Sequence, residues 1–183
     1  MSELEILYSK EGFTFVKHVK NNYILNFQME NSNIILAKII DFNLVKLIYD
    51  LNSDIYEKVK LEMINENEAT VNLLMKHLFE DLGLPQRFSY LYMQKFIGEN
   101  NIKFVSQSIK SERPIGMPDD AELMPVQNMT CDCEILTPHK IKFTCNILFE
   151  SSMIIPHVAE KLVGLILYKI FNRVKQFIEN VRM

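Results

Sequence analysis

Apolar and polar residues alternate with a period of two along most of this chain and change to a long helical period near its end. Phe13, Phe15, Lys17 and Val19 alternate with Thr14, Val16 and His18; Asn21-Asn22 interrupts, and Tyr23, Leu25, Phe27 and Met29 resume the alternation. This predicts two paired strands joined by a short Asn-rich turn. The β-branched stretch Ile34 to Ile40 ends at Asp41-Phe42-Asn43, where Asp41 or Asn43 can cap a short helix through Leu44, Leu47, Ile48 and Leu51. Asn52-Ser53-Asp54 stops that helix, and Ser53 or Asp54 is placed to start another turn or two before Val59, Leu61 and Met63 return to period two. Between Glu68 and Leu82 the pattern fits a helix and a strand equally well, so periodicity leaves both open. Strands follow at Arg87 to Ile97, Ile102 to Lys110, Val126 to Ile135 and Lys140 to Phe149, with the loop "SERPIGMPDDAELMP" before the third of these.

The last two strands form a tight hairpin, which allows their register to be estimated. If Ile135 pairs with Ile141, then Cys133 faces Phe143, Cys131 faces Cys145 and Met129 faces Ile147. All three thiols then lie on one apolar face. Three Cys with no His or acid spaced to complete a tetrahedron do not make a zinc site, so they read as small buried apolar groups and no metal is expected. A Cys131–Cys145 disulfide is geometrically feasible but requires an oxidising compartment.

From about Pro156 to Val181 the period becomes helical. Val158, Leu162, Ile166, Ile170, Val174, Phe177 and Val181 make one stripe, widened by Ala159, Val163, Leu167, Phe171 and Ile178, while Lys161, Lys169, Arg173, Gln176 and Asn180 are left for solvent. Such a helix needs a broad apolar surface to lie on. Gly164 lets another backbone or a ligand come close. Charged and amide residues recur too often for a membrane span.

Composition narrows the class further. With 183 residues, 48% of them apolar, the chain can bury a full core as a single domain over 1–183. A formal charge of -3 and scattered Lys residues give no basic stripe, which excludes nucleic acid as a partner. An odd Cys count and a polar start suit a soluble, reducing compartment, the cytoplasm or another, although a targeting peptide removed earlier fits as well. No GxSxG, HExxH, P-loop or dinucleotide fingerprint occurs, so the chain reads as a non-enzyme without a cofactor.

The order of elements resembles the START-related, helix-grip lipid-binding domains from about Phe13 to Val181. "LPQRFSYLYM" looks like that family's Pro-rich approach to an Arg-Asp-Phe strand start, "FVSQSIKSERP" like its Ser-containing strand and Pro loop, and "IIPHVAEKLV" like the Ile-Pro entry to its final helix. The resemblance makes Glu68–Phe79 a strand and implies an α+β fold in which a curved antiparallel sheet wraps a long C-terminal helix. There are departures. Phe88 stands where the acid after Arg87 is expected, no Arg follows the Pro loop near Leu123, and the family's N-terminal helix is missing or reduced to Glu3–Tyr8.

What the resemblance implies is non-catalytic binding or transfer of a lipid or other hydrophobic molecule in an internal cavity, with transient membrane contact. Its alternative is a degenerate scaffold serving as a structural subunit in a protein assembly. The expected lining takes Val71, Leu73, Met75 and His77 from the Glu68–Phe79 strand, and Tyr90, Tyr92 and Phe104 from the two strands after it. The hairpin adds Met129, Cys131, Phe143, Cys145 and Ile147, and the helix adds Leu162, Ile166, Ile170 and Val174. His77 is read either as a head-group contact or as a hydrogen-bonded core or rim histidine.

Overall fold

A computed structural model describes residues 3–182. Ten strands lie among them: β1 Glu5–Lys10, β2 Phe13–Val19, β3 Asn22–Glu30, β4 Tyr56–Asn65, β5 Glu68–Met75, β6 Arg87–Ile97, β7 Asn101–Ser108, the two-residue β8 Glu122–Leu123, β9 Val126–Thr137 and β10 Lys140–Phe149. Two α-helices accompany them, α1 Phe42–Asp50 and α2 His157–Asn180. The sheet order is β1-β2-β3-β10-β9-β7-β6-β5-β4, antiparallel throughout, with β8 added parallel to β6. This is the expected α+β architecture, a curved open sheet with a C-terminal helix.

Local chemistry accounts for the boundaries. The β2–β3 turn works because Asn21 adopts a positive φ of 62°, a conformation that Asn tolerates better than most residues. Asp41 caps α1, its Oδ1 accepting from Asn43 N at 2.8 Å and from Leu44 N at 3.2 Å. One further turn follows α1, but it opens at Asn52, whose carbonyl accepts from Ile55 N and Tyr56 N, and no second helix forms because β4 begins at Tyr56. The ambiguous stretch is strand only to Met75; Lys76 to Phe79 leave the ladder, and Glu80–Leu82 is a 3-10 turn closed by Gly83 at φ 69°. The N-terminal segment is a strand rather than a remnant helix: Glu5–Lys10 pairs with β2 and extends the sheet. In the β9–β10 hairpin, Ile141 pairs with Ile135, Phe143 with Cys133, Cys145 with Cys131 and Ile147 with Met129, as the alternation predicts.

The helix face is rotated from the predicted stripe. Val158, Leu162 and Phe177 are exposed, whereas Ala159, Gly164, Tyr168, Ile170, Val174 and Ile178 are buried. Steps of four residues advance 400°, so a ladder of such steps drifts about 40° at each one and leaves the buried side within a few turns. At 24 residues α2 is about 36 Å long, and no helix among the described residues is both long and apolar enough to cross a membrane.

Gly164 settles how near α2 comes to the sheet's first strands. A Cβ there would stand 2.7 Å from Tyr8 Cβ and 3.1 Å from Phe15 Cδ1, so the glycine accommodates β1 and β2 and is not a ligand contact. Gly164→Ala is expected to push α2 off β1 and lower stability by roughly 1–3 kcal/mol, the usual cost of overpacking. Urea unfolding checks this, and a midpoint equal to that of the unsubstituted protein would refute the close approach.

Candidate functional site: a cavity between helix and sheet

Between α2 and the concave face of the sheet lies a cavity of about 320 Å³. Its helix wall is Ala159, Glu160, Val163, Ile166, Leu167, Ile170 and Phe171; α1 covers it with Leu44, Val45, Ile48 and Tyr49. The sheet contributes the inward positions of successive strands, among them Leu25, Leu73, Leu91, Phe104, Ser106, Cys131 and Cys145. On this wall Phe171 meets Phe143, with ring centroids 5.5 Å apart, and behind them Phe27 packs 5.1 Å from Phe171. The rim is made by the Lys76–Pro85 connection, Met124 and the segment Met153–Ile155, where Leu78 and Ile154 are exposed.

Ten of the sixteen residues read from the sequence lie on this wall: Leu73, Met75, Phe104, Met129, Cys131, Phe143, Cys145, Ile147, Ile166 and Ile170. Six do not. Val71 and Val174 are fully buried in the packed core beside the cavity. Leu162 points to solvent because of the helical drift. His77 lies beyond the end of β5, exposed, with Nε2 2.6 Å from Leu84 O, so it braces the rim connection and not the cavity. Tyr90 and Tyr92 face outward, bonding Glu112 and Glu68. In their place Ser89, Leu91 and Met93 face inward, paired with Leu73, Val71 and Ala69 on β5. The parity of β6 is hard to read because its start is covered on both faces. Phe88 packs with Leu74 and Ala121 under the loop preceding β8, while Ser89 is buried on the other side.

Sequence reasoning also missed the charged groups of the wall. Glu160, 2% exposed, sits in the first turn of α2 and accepts from Lys17 Nζ at 2.6 Å and Tyr23 Oη at 2.6 Å, with His157 Nδ1 at 3.1 Å. Burial pushes its pKa up, but the hydrogen bonds from Lys17, Tyr23 and His157 and the Lys17 charge outweigh that and hold it below the usual carboxylate range. A lone acid two residues before an apolar helical run was the available signal. Arg87 lines the rim, and its acid partner comes from the adjoining β8: Nη1 donates to Glu122 Oε2 at 3.0 Å. Tyr49 and Tyr56 bring two hydroxyls to the wall, each pushed far up by burial, their rings in edge contact at 5.0 Å.

Two of the thiols, those of Cys131 and Cys133, are held in their neutral form. Cys131 Sγ is 2.7 Å from Cys145 Sγ, and this contact together with burial pushes the Cys131 pKa well up; burial, then the neighbouring Cys131 and Asp132, does the same for Cys133. A thiol so held is a poor nucleophile at neutral pH.

No family model matches the sequence, and a search of curated proteins finds no match. Solved structures do match. The lipid transfer and protein localization domain of human StarD13 superposes with a TM-score of 0.72 at 12% identity, covering 99% of this chain and 91% of that one. Human StAR-related lipid transfer protein 5 gives 0.67 at 12% identity over 94% and 85% of the two chains. A STAR-related lipid transfer protein fragment from Xanthomonas axonopodis gives 0.67 at 10% identity over 95% and 97%. The fold is the START helix grip. Identity this low carries the fold alone, and within that START-like frame the cavity occupies the space between grip and sheet.

Two outcomes test the site's electrostatics. Because Glu160 has its folded pKa depressed, the stability it confers is present above the unfolded carboxyl pKa of about 4.3 and is lost as pH falls through the lower folded value. Glu160→Gln should therefore cost roughly 1–3 kcal/mol at pH 7, by loss of charged hydrogen bonds, with the gap to the unsubstituted protein closing in acid. A gap independent of pH in denaturant titrations would contradict the network. Cys131, Cys133 and Cys145 should react slowly with a maleimide in the folded protein and rapidly in denaturant; fast labelling of the folded state would show that the wall is open to water.

Proposed function

We propose that the protein binds one hydrophobic molecule of the lipid class between α2 and the sheet, and carries it without chemical change. The observation behind this reading is the cavity itself, about 320 Å³ lined almost wholly by aliphatic, aromatic and sulfur side chains. Ligand sites are typically of this kind, roughly 300–1,000 Å³ and mainly apolar with a few placed polar groups. The volume is at the low end of that range, which suits one compact or single-chain molecule. Met75, Met93 and Met129 give the wall adaptable side chains. The solved structures with this fold include proteins described as lipid transfer proteins, which agrees with the reading. Binding without catalysis fits the Cys131 and Cys133 thiols held protonated and a buried acid already occupied by Lys17 and Tyr23.

Ile166, mid-helix on the cavity wall, separates this reading from that of a filled core. Ile166→Trp adds volume that a filled core would resist at a cost of about 1–3 kcal/mol, whereas a cavity absorbs it. The expected result is a melting temperature close to that of the unsubstituted protein together with at least tenfold weaker uptake of the neutral fluorophore N-phenyl-1-naphthylamine. Failure of the unsubstituted protein to take up the fluorophore, or undiminished uptake by the variant, would sink the proposal.

A further inference from the structure

Among the described residues three buried side-chain oxygens lack any hydrogen-bond partner: Asn22 Oδ1, Asn72 Oδ1 and Ser106 Oγ. Of these residues only Ser106 lines the cavity, where it is 1% exposed. Buried hydroxyls are nearly always bonded, so an orphan covered by flexible side chains of a binding wall marks a place where a ligand atom completes the bond once they move aside. Ser106 sits on β7 between Met93 of β6 and Met129 of β9, its two cross-strand partners, and neither thioether is a strong hydrogen-bonding group.

The charges on the wall restrict what that ligand atom is. Three charged residues line the cavity: Lys76, Arg87 and Glu160. Lys76 is exposed at the rim. Arg87 is engaged by Glu122 and by Leu123 O, and Glu160 by Lys17 and Tyr23. The interior therefore offers an anionic head group no free cation, and burying an unpaired charge there is strongly unfavourable. A hydroxyl or carbonyl oxygen carries no such penalty, and Ser106 can donate to either and accept from the former.

We propose that Ser106 Oγ is a polar anchor of the cavity and that the ligand is an apolar molecule with an uncharged oxygen, a hydroxyl or carbonyl, bonded to it inside the cavity. This rests on the cavity-binding reading above. The ligand enters oxygen first, and its apolar body fills the space toward α2.

Three proteins and matched ligands test it, read as displacement of N-phenyl-1-naphthylamine. Ser106→Ala should weaken dodecan-1-ol by roughly three- to tenfold, the worth of one uncharged hydrogen bond, while dodecane changes less than twofold. Ser106→Thr, which keeps the hydroxyl, should restore the alcohol's affinity. Dodecanoate and dodecyl phosphate should bind the unsubstituted protein more weakly than the alcohol. Equal effects of Ser106→Ala on alcohol and alkane, or tighter binding of either anion, would overturn the anchor while leaving cavity binding intact. If the fluorophore itself is not taken up, the cavity reading falls and the anchor with it.

Discussion

The architecture depends on where α2 is held, and buried polar groups hold it. Asn31, 3% exposed, donates to Ile178 O and Val181 O at the helix C-terminus at 2.6 and 2.9 Å. Asn52, fully buried, bridges from Ile48 O to Ile170 O and accepts from Arg173. Glu160 fixes the first turn through Lys17 and Tyr23. A buried amide or carboxylate deprived of its partner costs more than an ordinary contact is worth, so these bonds define distance as well as stability. Hydrophobic attraction alone is non-directional and would draw the helix down onto the sheet's centre.

With its ends fixed, α2 meets the sheet unevenly. On the β1–β2 side the contact is as close as a glycine allows, and at the C-terminal half Phe171 closes against Phe27 and Phe143. The middle of the sheet, where β6, β7, β9 and β10 turn Leu91, Ser106, Cys131 and Cys145 inward, stands back and is roofed by α1. The bonds that tie α2 to the segment after α1 differ in strength. Arg173 joins Asp54 across an exposed ion pair, Nη2 to Oδ2 at 2.9 Å, a type worth little in water, while Asn52 is buried. The rim connections carry exposed Leu78, Leu82 and Ile154 and few buried contacts, so they belong to the low-stability part of the structure, where opening costs least.

Much of this was legible because alternation fixes parity once a single pair is anchored. The β9–β10 register followed from one tight hairpin, and with it the placing of all three thiols on the wall. Parity failed on β6, where Phe88 and Ser89 are both buried by different layers, and a large aromatic is then no guide to the inner face. Tyr90 and Tyr92 satisfy their hydroxyls outside, with Glu112 and Glu68, a choice set by partners more than 20 residues away. The helix was legible as an element and not as an orientation, because its apolar residues cover more than one side and Gly164 with Tyr168 turned the buried side toward β1. Asn52 reads as part of a helix stop, and Asn31 falls in no predicted element. Their role lies with carbonyls over 100 residues distant, and nothing local encodes that.

A cavity in such a small domain has a thermodynamic consequence. At about 24 cal/mol per Å³, leaving about 320 Å³ unfilled forfeits on the order of 8 kcal/mol of packing, comparable with the whole stability of a typical domain, about 5–15 kcal/mol. Solvent offsets part of this only where polar partners exist, and apart from Ser89, Ser106, two tyrosine hydroxyls and the thiols the enclosed wall gives water little to bond. An occupant that binds only the folded state returns stability in proportion to the logarithm of its concentration over its dissociation constant. Under the proposed binding, folding and loading share the same apolar wall: what raises affinity for an apolar body also raises the cost of the empty state, and the buried asparagines hold the helix in place without an occupant.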